Sequence, residues 1–311
     1  MHVISANDIA DNLSLPALID AIEESFRAHA RGDFPGPERL DSYLETGEFH
    51  VKAGHSQGYF AVKANSAFFG NPPQRPAIQG VLLLFDSTTG EPVAALHSGS
   101  VTAVRTAAAS AVAARLLAPE DAAVLGLIGA GEQAWQHARA LTSVRPVSLV
   151  RVWARRADAA EKLAARIRDQ LRMPCEVVGA PRDAAHSPIV ATCTPANSPV
   201  LDSGDLLEGA FVAAVGADSP HKQELSAQLT ASCAVVPDVL GQALAVGELH
   251  HAVDSGLMTS ADVLGELGEL LVSSGRPVLA VRDSRPVVFD STGTGFQDAA
   301  AAAMAFQAVN A

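Results

Sequence analysis

Cysteine is scarce. Cys175, Cys193 and Cys233 are the only three in 311 residues, and they lie far apart. An odd count without C-x-x-C spacing argues against a disulfide framework and against a zinc site, and it suits a reducing cytoplasm. Lysine is scarce too, confined to Lys52, Lys63, Lys162 and Lys222. That shortage, with alanine runs such as Ala299–Ala303, reads most simply as genome base composition. Any lysine in a polar pocket then needs a reason. Charged residues are only 18%, too few for a disordered chain. Basic clusters are missing, and Lys+Arg 22 against Asp+Glu 34 leaves a net charge of −12. Nucleic acid and anionic membrane are excluded as main partners. No run of 18 apolar residues is free of Gly, Pro or charge, so no membrane span is expected. The opening MHVISANDIADNLSLPALIDAIEESF reads as a strand, a cap and an amphipathic helix, not as a secretory signal.

What the chain does have is apolar material: 48% hydrophobic residues and a mean hydropathy of +0.18. At roughly 150 residues per domain, two domains are expected. The first ~118 residues have a β-rich middle. FHVKAGHS (Phe49–Ser56), GYFAVKANSAF (Gly58–Phe68) and GVLLLFDSTTGEPVAAL (Gly80–Leu96) alternate or run apolar between Gly, Pro and Asp. Asp86 to Gly90 marks a hairpin turn. Ser100–Leu117 reads as an Ala-rich helix capped by Ser100 or Thr102 and ended by Pro119. Pro35–Ser42 reads as a loop.

From Ala122 onward the pattern alternates strand and helix. AAVLGLIG, Ser148–Ala154, Pro188–Thr194, Ala210–Gly216 and Ala231–Val239 are the strands; Glu132–Thr142 and Ala157–Leu171 are helices. That rhythm implies βαβ units and a parallel sheet. It stops near Pro277. VVFDSTGTGFQDAAAAAMAFQAVNA then closes the chain as strand, Gly-rich turn and helix. The last helix is apolar enough to need a partner surface. Its return to the N-terminal domain would make that domain discontinuous.

The segment Val124-Leu-Gly-Leu-Ile-Gly129-Ala-Gly131-Glu-Gln-Ala134 carries G-x-G-x-x-A between a strand and a helix. Gly129 permits the tight turn and Gly131 lets the backbone approach a pyrophosphate. Ala134 permits close helix packing, and the helix N-terminus favours the anion. A dinucleotide is therefore expected on Gly129, Ala130, Gly131, Glu132 and Gln133. Where an acidic residue would bind the ribose 2′-hydroxyl, the chain has Trp153-Ala-Arg155-Arg156. Two guanidiniums suit a 2′-phosphate, so NADP(H) is favoured over NAD(H). The pair can also be read as a solvated start to the next helix.

These motifs, with Val62-Lys-Ala-Asn65, Gly80-Val-Leu-Leu-Leu-Phe-Asp86, Thr102-Ala-Val-Arg-Thr-Ala107, Val215 to Leu225 and Gly293…Gln297-Asp298, resemble the ornithine cyclodeaminase/mu-crystallin family along nearly the whole chain. The resemblance implies an α/β fold: a Rossmann doubly wound parallel sheet, residues 119–290, inserted into a β-rich α+β domain, residues 1–118 plus 291–311. That second domain would bind substrate and form a homodimer. Members act with NAD(H) or NADP(H) on small α-amino or α-imino carboxylates.

The resemblance also implies site residues. Arg39, Lys63 and Arg105 match a carboxylate clamp; in each case the alternative is pairing with a structural carboxylate. Asp218 matches a proton-transfer residue; the alternative is a cap on a helical segment Lys222–Gln228. Lys222 and Glu224 would shape that loop. His50 stands near where cyclodeaminases place an acid for the distal amine, and Glu48 is close by in sequence. Trp153, Thr106, Thr194 and Gly216 join the expected cofactor contacts, and no metal is expected. The leading expectation is a cytoplasmic reductase of cyclic α-imino carboxylates. The alternatives are an ornithine cyclodeaminase, an alanine dehydrogenase-like enzyme and a non-catalytic nucleotide-binding protein.

Overall fold

The computed structural model describes residues 1–72, 74–273 and 284–310; the end of the strand–helix rhythm near Pro277 falls outside them. The chain divides into one unit of Met1–Ala109 with Thr294–Ala311 and a second of Ser110–Gly293. The first boundary lies inside a helix, not after Leu117 as the Pro119 stop suggests. That helix, Ser98–Leu117, carries alanines that are fully buried in both halves, such as Ala107 and Ala113, so each half needs a packing surface. It begins at Ser98, ahead of the expected Ser100 or Thr102 cap.

In the first unit, β1 (His2–Ile4), β2 (Glu38–Leu44), β3 (Gly47–Ser56), β4 (Tyr59–Ala67), β5 (Ile78–Asp86) and β6 (Pro92–His97) form one sheet in the order β1-β6-β5-β4-β3-β2. All pairs are antiparallel except β1 with β6. The β5–β6 turn forms as expected: Asp86 Oδ1 accepts from Thr88 N (2.8 Å) and Thr89 N (2.9 Å), and Gly90 takes φ 74°. Pro35–Ser42 is not all loop. Glu38 opens the edge strand β2, where Arg39 and Asp41 point inward and Leu40 outward. Leu40, Leu44, Phe49 and Val81 leave an exposed apolar surface on the outer face of this sheet.

The inner face is covered by the closing helix Gly295–Val309, on which the helix Leu15–Arg31 packs in turn. The closing helix crosses β3 at a glycine pair. A Cβ on Gly295 would lie 2.0 Å from the Ala53 carbonyl oxygen, and one on Gly54 would lie 2.5 Å from the Gly295 carbonyl carbon. Only glycine at both positions allows this approach. It sets Gln297 and Asp298, one helical turn on, against β4.

The second unit is a seven-stranded parallel sheet. Its strands are β7 (Val124–Ile128), β8 (Leu149–Trp153), β9 (Cys175–Val177), β10 (Ile189–Thr192), β12 (Phe211–Ala214), β14 (Ala234–Pro237) and β15 (Val287–Asp290). They run in the order β14-β15-β12-β10-β7-β8-β9. Strands β10, β12, β14 and β15 are buried at every residue, as a sheet covered on both faces requires. The short β11 (Asn197–Leu201) and β13 (Gln223–Leu225) form a separate ribbon. β13 replaces the expected helical turn at Lys222; the helix starts at Ala227, where the Ser226 side chain accepts from Leu229 N. Strand order reverses between β10 and β7. In this Rossmann arrangement, ligands bind beyond the carboxyl ends at that point. No helix among the described residues is long and apolar enough to cross a membrane.

Candidate active site

In the first unit, sheet register lines up the cations. Arg39, Lys52 and Lys63 are direct neighbours across β2, β3 and β4, and Asp41, His50 and Asn65 form the next inward row. Like charges directly opposite destabilise a sheet unless compensated. Asp298 supplies compensation, fully buried at the start of the closing helix. Lys63 Nζ lies 2.8 Å from its Oδ2, and Arg105 Nε donates to its Oδ1 at 2.8 Å. Arg105 Nη1 donates to Gln297 Oε1 at 2.9 Å. Burial would raise the Asp298 carboxyl, but the Lys63 and Arg105 charges hold it below its ordinary range, so it is ionised at neutral pH.

Arg39 pairs with Asp41 (2.5 Å), and His50 Nδ1 donates to the other Asp41 oxygen at 2.6 Å. Burial would raise Asp41 as well; the bonds from Arg39 and His50 bring it below its usual value. Glu48 Oε1 lies 3.3 Å from His50 Nε2. Each clamp cation therefore does have a structural carboxylate. Arg39, Lys52, Lys63 and Arg105 share this face with Asp41, Glu48 and Asp298. Sequence reasoning gave Lys52 and Asp298 no role. The i, i+2 spacing of Glu48, His50 and Lys52 on a strand was the available signal.

In the second unit, the turn after β7 is built for an anion. Gly129 has φ 116°, and a Cβ there would meet the Cys193 carbonyl oxygen at 2.5 Å. Gly131 is the N-cap of the helix Glu132–Val144, has no side-chain cap, and faces open space. Its helix N–H groups are thus available to a phosphate. A groove of about 650 Å³ opens beside it, lined by Gly129, Ala130, Gly131, Trp153, Arg155, Arg156 and Thr194 among others. Arg155 and Arg156 are exposed, and no ion pair among the described residues engages them. These features fit a dinucleotide whose adenosine ribose faces the two arginines.

Glu132, Gln133, Thr106 and Gly216 are not among the residues that line this groove. Glu132 and Gln133 open the helix that Gly131 begins, and Glu132 Oε1 accepts from Gln136. Thr106 belongs to the first unit, its hydroxyl bonded to the Thr102 carbonyl at 2.7 Å. Gly216 follows β12 and is held by Glu224 at 2.8 Å. Asp218, two residues on, is half-exposed and receives Lys222 Nζ at 2.8 Å. It caps no helix.

The model of the ornithine cyclodeaminase/mu-crystallin family matches residues 1–311. This chain belongs to that family. A relative named an uncharacterized cyclodeaminase, from Sinorhizobium fredii, is 40% identical over 309 residues, spanning 94% of this chain and 92% of the relative. An archaeal alanine dehydrogenase dimer with bound NAD superposes with a TM-score of 0.90 at 30% identity, over 99% of this chain and 95% of that one. Thermococcus litoralis Δ1-pyrroline-2-carboxylate reductase, in complex with NADH and L-proline, gives 0.92 at 26% identity, over 99% and 97%. A lyase name and two oxidoreductase names thus share this fold.

A ladder of buried acids stands behind the second unit's strand ends. Glu248 accepts from Glu224 N and Leu225 N, and Asp290 accepts from Glu248 N and Leu249 N. Burial pushes Asp290 up to about 7 and raises Glu224 and Glu248 as well. For Asp290, the folded state therefore holds a proton that the unfolded chain releases near pH 4. Stability from Asp290 is full at acid pH and is lost as pH rises through about 7. Melting temperature is expected to fall between pH 5 and pH 7.5, and Asp290→Asn should flatten the slope by up to about 1.4 kcal/mol per pH unit. A stability that rises over that range in the unaltered protein would contradict this.

Proposed function

We propose that this chain is an NADPH-dependent reductase of small α-imino carboxylates, cyclic ones foremost. The observation that carries the reading is the buried fork of Arg105 beside Lys63 and Asp298. A planar guanidinium suits a substrate carboxylate. Arg105 engages Nε and Nη1 with Asp298 and Gln297, and its Nη2 remains for a second, planar partner.

Arg39 and His50, fixed through Asp41, border the same face. Asp218 holds a proton at the substrate nitrogen, so that the imine carbon is electrophilic. A bound nicotinamide supplies the hydride. The L-proline of the Thermococcus complex is the product type such a reaction gives. The neighbours above hold NAD or NADH; the preference for NADPH rests on Arg155 and Arg156 of this chain. The exposed apolar face of the first unit's sheet fits a homodimer, as in the alanine dehydrogenase.

The test is cofactor consumption on pyrroline-2-carboxylate and piperideine-2-carboxylate. Steady NADPH oxidation supports the reading. Ammonia release from ornithine with NAD+ and no net cofactor oxidation would replace it with the lyase. Arg155→Gln with Arg156→Gln is expected to weaken NADPH binding by about 10- to 100-fold, the worth of one or two charge-assisted bonds. NADH binding should hardly change. Equal losses for both cofactors would remove the assignment of the 2′-phosphate.

A further inference from the structure

We infer that Glu224 is a positioning residue, a buried carboxylate that ties the loop lining the nucleotide groove to the loop carrying Asp218. The inference rests on the reductase reading and goes beyond it.

The parallel pairing of β10 with β12 runs from Ile189 and Phe211 to Thr192 and Ala214, followed by one last bond from Val215 N to the Thr192 carbonyl. Among the described residues no ladder bond joins the two strands beyond it, although Gly216 still packs on the Thr194 carbonyl. In such a sheet this is where ligands enter. Two backbone N–H groups, of Thr194 and Gly216, pass out of the ladder there and need acceptors. Both find Glu224: Thr194 N at 2.6 Å on Oε1 and Gly216 N at 2.8 Å on Oε2. Thr192 Oγ1 adds a third bond to Oε2 at 2.7 Å. The carboxylate is the connection that continues the sheet after its own bonds end.

The fit leaves no slack. A Cβ on Gly216 would lie 2.2 Å from the Thr194 carbonyl oxygen and 2.5 Å from Glu224 Cδ. On the other side of Thr194, the Cys193 carbonyl abuts Gly129 of the phosphate turn. A shift of Glu224 therefore moves Thr194, a groove residue, and Gly216, two residues before Asp218, together. Glu224 is itself anchored, since its N–H and that of Leu225 both end on Glu248. Lys222, on the same short segment, reaches back to Asp218 at 2.8 Å.

The experiment uses the full chain and reads two quantities: NADPH affinity, from quenching of Trp153 in the groove, and kcat and KM on pyrroline-2-carboxylate. Glu224→Gln keeps the shape but points an amide N–H₂ at donors. It is expected to weaken NADPH binding and also to lower kcat at saturation, by about 10-fold or more each, as misplacement of reacting groups does. Thr192→Val removes one bond and leaves the carboxylate in place; about 5-fold weaker NADPH binding is expected, and Thr192→Ser should restore it. Asp218→Asn should lower kcat with NADPH affinity intact, which separates positioning from proton transfer. If Glu224→Gln and Thr192→Val lower only the melting temperature, with NADPH affinity and kcat unchanged, Glu224 is a fold brace and the inference is wrong. If the unaltered chain binds no nicotinamide nucleotide, the reductase reading fails first and this inference falls with it.

Discussion

Arg105→Ala is expected to lower kcat/KM on a cyclic imino acid by about 2–4 kcal/mol, some 30- to 1,000-fold, in line with truncation of a desolvated charge pair. The guanidinium does two things at once. It neutralises Asp298 from one side and keeps an N–H free for a carboxylate ligand. Without it, Asp298 faces Lys63 as its remaining close cation, and that face has one positive charge fewer. Substrate binding then loses both the fork and the field. Stability should fall as well, because Asp298 is fully buried and loses one charged partner. Arg105→Lys should recover the stability better than the turnover, since an ammonium offers charge without the planar pair. NADPH affinity should stay put. A variant that loses nucleotide binding while keeping turnover would reverse the assignment.

Local patterns carried the second unit. β10, β12 and β14, buried along their whole length, and β7, buried in all but its first residue, read as apolar runs, and the glycines of the phosphate turn follow β7. β9, β11 and β13 escaped because CEV, NSPVL and QEL mix polar residues and proline with too few apolar ones to read as runs. The Lys222–Gln228 error has the same origin: Gln223–Leu225 pairs with β11, a contact that no local propensity announces.

The first unit was legible as strands and as candidate cations. Their partners were not. Asp298 meets Lys63 and Arg105 across 235 and 193 residues, and only the Gly54–Gly295 crossing brings it there. Lys52 remained a bare composition fact until its register opposite Lys63 placed it on the polar face. Arg39 was assigned to a loop because β2 is an edge strand with one polar and one exposed face, and it gives little apolar signal.

Asp218→Asn is expected to cost about 10²- to 10⁴-fold in kcat, the range for losing a positioned proton carrier. The substitution keeps the side chain's size and one of its two oxygens. Asp218 caps no helix, since Ser226 performs that duty for the helix that follows, and its side chain is 41% exposed. Its bond from the buried Lys222 ammonium survives in part, because an asparagine oxygen can still accept from it. Melting temperature should therefore move by only a few degrees, while turnover collapses and NADPH affinity holds. The same variant separates the chemistry from the clamp. Loss at Arg105 falls on kcat/KM through carboxylate binding, whereas loss at Asp218 should persist at saturating substrate. It should also deepen as pH rises, because the unassisted reaction then depends on the vanishing fraction of imine that is protonated in solution. An Asp218→Asn protein with most of its kcat at saturation, at both pH 6 and pH 8, would show that water protonates the imine unaided and that Asp218 only fixes its loop through Lys222.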